Sequence, residues 1–369
     1  MAGKTFFFAG GGTGGHIYPA IAVAQKLTTL DTQAKIHFFV SSRDIDKHVL
    51  EKARFDYTVL PAIGLSAHPG KLISFFKLFL SSRKIAAQII AKSQNPVIIG
   101  VGGFVAAPVC WAGHKLKKPV ALLNVDIIPG RANKLIARWA DKIFVQFDET
   151  ADYFGRHKKK VIVSGCPLRS AFENPNPQNA KEALGLDMAK KILLITGASS
   201  GSKNINTTVC SLLEKLAAFA DNWQIVHLAG RTNFEDVSAR YANAKIKHKV
   251  LDYWDDMADL LAAADLVIGR SGAVSVAEYA AAAVPSICMP YPYHRDMHQY
   301  LNAGKLVDAG AAVIVDDVGD DKDRREWLWE ELEPLLKDDK TRLQMKQACK
   351  LVAKIDAAQK ITEALIQSQ

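Results

Sequence analysis

The 369-residue chain has no uninterrupted apolar run of the roughly 20 residues that a membrane-spanning helix needs. Nor does it open with a cleavable leader pattern, because Phe6–Phe8 run straight into a glycine turn. Cysteine is sparse: the five (Cys110, Cys166, Cys210, Cys288 and Cys349) are odd in number, far apart and in no metal-ligand spacing. That argues against a disulfide framework or a zinc module and fits reduced thiols in the cytosol. Low-complexity segments are missing too, and the basic residues are scattered without a recognised nucleic-acid motif, so nucleic acid is not expected as a partner. What the chain does have is a net charge of +9, which favours an anionic partner such as a phosphorylated substrate or an anionic membrane.

Short apolar runs alternate with amphipathic stretches, the pattern of parallel βα units in an α/β protein. "TFFFAG" reads as a strand and "PAIAVAQKL" as the helix after it, with Pro19 suited to a first turn. "KIHFFV", "PVIIGVGG", "PVALLNV" and "DKIFVQF" are further strand candidates. The pattern breaks at the Pro- and Asn-rich "VIVSGCPLRSAFENPNPQ", which reads as an inter-domain linker. A second series then begins with "KKILLITGASSGS", "WQIVHLAG", "KHKVLDYW" and "ADLVIGRSG". The expectation is two Rossmann-like parallel-sheet domains facing across a cleft, with a basic amphipathic helix or helix pair at the carboxy terminus.

Both halves place a small-residue turn directly after an apolar strand, at Gly10–Gly15 and at Gly197–Ser202. Such turns let backbone N–H groups approach an anion at the positive end of a helix. The first holds five glycines in six residues and ends in His16. Gly10, Gly12 and Gly15 formally satisfy the dinucleotide fingerprint, but that also calls for an acidic residue at the end of the next strand. Here that strand ends in Ser41-Ser42-Arg43, so a nicotinamide or flavin site is disfavoured. At a helix start His16 is either a cap or packing residue or a near-neutral general base for a sugar hydroxyl.

The "GASSGS" turn offers Ser199 and Ser200 to a diphosphate. In "RSGAVSVAEYAAAAVP", Ser271 or Ser275 could cap a helix, and Glu278 could accept hydrogen bonds from a ribose diol. His294 and His298 are spaced for a metal if helical, but no third ligand lies nearby. The Asp44/Asp46 and Asp321/Asp323 pairs lie in highly charged stretches and are discounted as metal ligands. Residues 70–90 interleave Phe75, Phe76 and Phe79 with Lys77 and Arg83, which suits either a buried helix with solvated ends or one lying on an anionic membrane.

Taken together, "GGTGGHIYPAIAVA", "GVGGFVAAP", "GRANK", "SGCPLR", the long "RSGA…E…AAA…P" stretch and "HQYLNAG" resemble the MurG family of peptidoglycan N-acetylglucosaminyltransferases. The resemblance implies a GT-B glycosyltransferase, inverting and free of metal or other cofactor. Its first domain (1–165) would bind acceptor and membrane, its second (166–344) the UDP-sugar, and a helix at about 345–369 would pack back on the first. Carried over, Glu278 would hold the ribose, and Ser199, Ser200 and Arg169 the diphosphate. The backbone at Tyr253 and Trp254 would meet uracil, while Arg270, Ala273, Val274, Ser275 and Gln299 would approach the phosphates and GlcNAc. Thr13, Gly14, Gly15, Asn124 and Asn133 would line the acceptor side with His16 as base. Residues Phe75, Phe76, Lys77, Phe79 and Arg83 would dock on the cytoplasmic leaflet of the inner membrane as a peripheral contact.

The chain departs from the family where "HEQN" is usual and Leu123-Asn124-Val125-Asp126 stands instead. Asp126 is the fallback base. The departure opens the acceptor's identity: lipid I, giving lipid II, leads, with another polyprenyl or glycerolipid as alternative. A GT-B-shaped epimerase and a non-catalytic UDP-sugar-binding paralogue are the readings from other classes.

Overall fold

The computed structural model describes residues 3–11, 14–64, 69–198 and 201–368. It divides into two compact units, Met1–Ser170 with Lys354–Gln369, and Ala171–Ala353.

In the first unit the strands are β1 (Thr5–Ala9), β2 (Lys35–Val40), β3 (Asp56–Val59), β4 (Pro96–Gly100), β5 (Val120–Asn124), β6 (Lys142–Val145) and β7 (Val161–Val163). They pair in parallel in the order β3-β2-β1-β4-β5-β6-β7. The helices are α1 (Gly14–Leu30), α2 (Asp44–Ala53), α3 (Pro69–Ala91), α4 (Gly103–Lys115) and α5 (Arg131–Ile136). β1, β4 and β5 are buried along their whole length, as the continuous apolar runs require of strands covered on both faces. Phe7, Phe39, Ile98, Val109 and Ile143 belong to one apolar cluster of this unit.

The second unit carries α6 (Pro177–Ala183), β8 (Lys191–Thr196), α7 (Lys203–Cys210), α8 (Leu213–Leu216), β9 (Trp223–Leu228), α9 (Phe234–Tyr241) and β10 (His248–Leu251). It continues through α10 (Met257–Ala263), β11 (Leu266–Gly269), α11 (Ala273–Ala281), β12 (Ser286–Cys288), α12 (His298–Asp308) and β13 (Ala312–Ile314). It ends with α13 (Asp321–Lys337) and α14 (Asp339–Val352). Its parallel sheet runs β10-β9-β8-β11-β12-β13, the same winding as β3-β2-β1-β4-β5-β6. The repeated device seen in the sequence is therefore a repeated topology.

The carboxy-terminal stretch is a helix pair. α14 stays in the second unit, and only α15 (Ala357–Ile366) belongs to the first, where it packs on α1. Lys4 Nζ donates to the carbonyls of Ile366 and Ser368 (2.6 Å each), and Lys142 Nζ donates to that of Ala364 (2.7 Å). Two cations thus donate to carbonyls at the negative end of α15.

One local expectation fails. α1 starts at Gly14, so Pro19 lies inside the helix and not in its first turn. The carbonyl that a proline ring at 19 crowds is that of Gly15, and the glycine-rich turn itself winds into the helix.

Candidate functional site

In an open parallel sheet, ligands bind beyond the carboxyl ends of the strands, where the winding reverses. In the first unit that point lies between β1 and β4. Val101 N donates to Ala9 O (2.8 Å), drawing the two strand exits together. A Cβ on Gly10 (φ +156°) would stand 2.3 Å from Val101 Cγ2 and 2.8 Å from Gly102 O, so this exit takes glycine. His16 is the third residue of α1 and rests on the backbone of Gly102, where a Cβ would meet Cδ2 at 2.8 Å and Nε2 at 2.9 Å. Burial lowers the pKa of His16 from its ordinary value of 6.5; the carboxylates of Asp126 and Asp46 oppose that shift. The imidazole is therefore neutral near pH 7, the form in which it accepts a proton.

Beside it a chain of amides fixes the exit of β5. Asn133 Nδ2 on α5 donates to Asn124 Oδ1 (2.8 Å), and Asn124 Nδ2 donates to the Asp126 carbonyl (2.7 Å). Asn124 and Asn133 are both buried, and Asn133 Oδ1 is enclosed without a hydrogen-bond partner among the described residues. A Cβ at Gly102 would stand 3.4 Å from that oxygen, so an acceptor group waits on the side of Gly102 that His16 occupies. Leu123 points into the core at 2 % exposure and takes no part in the site. Gly14 and Gly15 form the first turn of α1, where unpaired N–H groups belong. Thr13 lies outside the described residues.

In the second unit the equivalent point lies between β8 and β11. A Cβ at Gly197 would be 2.1 Å from Ser202 N, and one at Gly201 (φ +72°) 2.3 Å from Ala229 O. Ser202 caps α7, its Oγ accepting from Ile205 N (3.4 Å). Arg270, at the exit of β11, donates to Ser202 Oγ (2.6 Å) and to the carbonyl of Met289 (2.7 Å). The same Nη2 stands 2.6 Å from Asp317 Oδ2, a charge contact whose angle is not that of a hydrogen bond. Asp317 is 1 % exposed and also faces Arg324 at 3.9 Å. The Arg270 guanidinium is thus committed to protein groups and ties three strand exits to the start of α7.

Helix α11 begins at Ala273 with Gly272 as its cap residue. Neither Ser271 nor Ser275 caps it: Ser271 Oγ donates to the Gln299 carbonyl (2.9 Å), because the tight exit of β11 turns that side chain toward α12. Ala273, Val274 and Ser275 form the first turn of α11, and Glu278 lies on it, half-buried. Gln299 accepts from Tyr291 N (2.9 Å) through Oε1, which orients its amide. Tyr253 and Trp254 sit half-buried between β10 and α10, and Trp254 Nε1 has no hydrogen-bond partner among the described residues. Ser199 and Ser200 lie outside the described residues. Arg169 falls in the first unit, with its guanidinium 4.6 Å over the ring of Tyr18.

His294 and His298 are not a helical pair. His298 opens α12 and His294 lies in the turn before it, with the ring centroids 4.4 Å apart and His298 Nδ1 2.7 Å from Asp296. On α3 the candidate membrane residues separate. Ile73, Phe76 and Leu80 are exposed, whereas Phe79 packs on Trp111 and Arg83 lies 4.8 Å over the same indole. Lys77 is exposed, and Phe75 is half-buried between Phe76 and Phe79.

Comparison with known proteins matches the glycosyltransferase family 28 N-terminal domain to residues 6–145 and the C-terminal domain to residues 192–361. The chain is 34 % identical over 356 residues to the UDP-N-acetylglucosamine–N-acetylmuramyl-(pentapeptide) pyrophosphoryl-undecaprenol N-acetylglucosamine transferase of Caldicellulosiruptor saccharolyticus, covering 96 % of this chain and 95 % of the relative. The protein of the same name from Carboxydothermus hydrogenoformans is 33 % identical, covering 97 % of each. The crystal structure of Acinetobacter baumannii MurG matches with a TM-score of 0.71 at 25 % identity, covering 99 % of each chain. The chain belongs to the MurG family of glycosyltransferases. The UDP-GlcNAc 2-epimerase from Neisseria meningitidis matches equally well in TM-score (0.71) at 14 % identity, a likeness of fold alone. The fold is thus GT-B, and the family match, not the fold, separates transferase from epimerase.

Within this MurG-family chain, the sequence pattern does not reveal three buried polar features. Asp46, in a charged stretch, is fully buried; Asp317 is the anchor of Arg270; and His227 is buried between Tyr241 OH and Asn206 Oδ1 at 3.0 Å each. The legible signal for Asp46 was its place just beyond the carboxyl end of β2, the edge at which such sheets hold ligands.

Proposed function

We propose that the chain transfers GlcNAc from UDP-GlcNAc to the 4-hydroxyl of the MurNAc-pentapeptide of undecaprenyl-diphosphate lipid I, giving lipid II in peptidoglycan synthesis. The observation that carries this reading is the near full-length likeness to relatives bearing that activity in their names. The neutral His16 at the β1/β4 exit supplies the chemistry.

In this mechanism the acceptor oxygen attacks C1 of GlcNAc as its proton passes to His16. The bond from C1 to the diphosphate breaks, and UDP leaves with the electron pair. One displacement inverts the anomeric centre. Asp126 is the second candidate for the proton. On the second unit, the first-turn N–H groups of α11 and the start of α7 meet charge developing on the diphosphate, and no metal is required. Glu278 takes the ribose diol, the backbone at Tyr253 and Trp254 the uracil, and Gln299 the GlcNAc. The acceptor side belongs to the first unit, with Asn124 and Asn133 lining it. No helix among the described residues is long and apolar enough to cross a membrane. The exposed face of α3, flanked by Lys77, suits peripheral contact with the anionic cytoplasmic leaflet.

Incubation of the purified chain with labelled UDP-GlcNAc and lipid I, with and without EDTA, is the test. Formation of lipid II in both is expected. Label appearing only in another extracted lipid would overturn the acceptor assignment, and an EDTA-abolished reaction the metal independence. Full activity in His16→Ala would overturn the base.

A further inference from the structure

Asp46 is a carboxylate with 0 % exposure in the first turn of α2, and the mechanism above does not use it. Two independent contacts fix its place. Ser41 Oγ donates to Oδ2 (2.7 Å), and the carboxyl group lies against the backbone of Gly11. A Cβ on Gly11 (φ +129°) would stand 2.6 Å from Oδ2, 2.8 Å from Cγ and 2.9 Å from Oδ1. Glycine at 11 therefore leaves room for a carboxylate, just as glycine at 102 leaves room for the His16 ring. Both openings belong to the same pair of strand exits, β1 and β4, that build the His16 site. A buried carboxylate is costly unless a cation or hydrogen bonds compensate it, and its position after an apolar strand needs a reason.

We propose that Asp46 is a positioning residue for the base: its carboxylate, clamped between Ser41 and Gly11, stabilises the imidazolium that His16 becomes when it takes the acceptor's proton. This rests on the reading of His16 as base. The charged groups acting on His16 are Asp126, from the connection after β5, and Asp46, from α2; Asn133 on α5 is the neutral neighbour across Gly102. The other charges at the start of α2 are engaged elsewhere. Asp44 pairs with Lys47 at 3.3 Å, and the Arg43 guanidinium lies 5.9 Å over Phe104. A negative charge raises the basicity of the imidazole, so its removal moves the His16 titration toward lower pH.

The experiment is the His16 titration followed by NMR in full-length wild type and Asp46→Asn, assigned with His16→Gln, alongside the pH profile of kcat/KM. In Asp46→Asn the titration midpoint and the acid limb should move down together. kcat should fall about tenfold, the equivalent of one pKa unit, with KM for UDP-GlcNAc unchanged. A folded Asp46→Asn with an unmoved His16 titration overturns the proposal. Should that variant not fold, Asp46→Ser, which also removes the charge, carries the same test with a shift in the same direction, and no shift there overturns it equally. An active His16→Ala enzyme would bring down the base assignment instead, a separate result from an unmoved titration.

Discussion

Arg270 and Ser202 are joined by a 2.6 Å hydrogen bond between the exit of β11 and the cap of α7. The guanidinium thereby braces the turn proposed to hold the donor diphosphate. Arg270→Lys keeps a cation beside the buried Asp317 and loses the fork that reaches Ser202 and Met289 together. Its expected effect is a KM for UDP-GlcNAc raised about tenfold, with kcat within about twofold. Steady-state kinetics beside a melting curve check this; an unchanged KM in a folded Arg270→Lys would count against the role.

Much of this was legible because strand identity in a doubly wound sheet is written locally. "FFFAGGG" and "LLITGAS" announce a buried parallel strand and a tight exit without reference to anything distant. His16 was legible by the same logic, as the residue a glycine turn delivers into a helix. The burial of Asp46 was not, because it depends on Gly11 lying over it and on Ser41 turning inward. Arg270 was legible as a residue of that strand exit, but its buried partner was not, since Asp317 arrives from beyond β13. Pair relations between distant strand exits are set by the winding, and a single chain's periodicity carries no record of them.

His227 makes the second unit sensitive to acid. Buried between Tyr241 and Asn206, it is pulled down to about 3. In the unfolded chain it titrates near 6.5, so between those values the unfolded state holds the extra proton and stability falls as pH falls. The loss is about 1.4 kcal/mol per pH unit below pH 6.5 and ends near the folded value. His227→Gln should start less stable at pH 7 yet show a shallower slope from pH 6.5 to 4.5 in urea titrations. An unaltered slope would mean that other groups govern acid unfolding.

Ala198 holds φ +61° in the turn after β8, and its carbonyl accepts from Gly201 N at 3.0 Å. A left-handed alanine costs about 1–2 kcal/mol, partly offset in a glycine variant by the greater entropy of its unfolded chain. Ala198→Gly should gain up to about 1 kcal/mol, read as a rise of about 2–4 °C in Tm. A fall in Tm would show that the alanine methyl makes contacts worth more than the strain.

The exposed face of α3 gives the last prediction. Ile73, Phe76 and Leu80, exposed by 74 %, 56 % and 49 %, recur at helical spacing on one side, while Phe79 turns inward onto Trp111. If that side is a peripheral membrane contact, Phe76→Glu with Leu80→Glu removes apolar insertion and adds repulsion from anionic headgroups. Vesicle co-sedimentation with phosphatidylglycerol should fall by about tenfold or more, while turnover of a short-chain, water-soluble acceptor stays within about twofold. Phe79→Ala should behave differently, costing about 3 kcal/mol or less in the half-buried stack with Trp111 and lowering Tm, with a smaller effect on vesicle binding. Equal loss of vesicle binding in both variants would show that the helix fold, not its exposed side, is what the membrane reads.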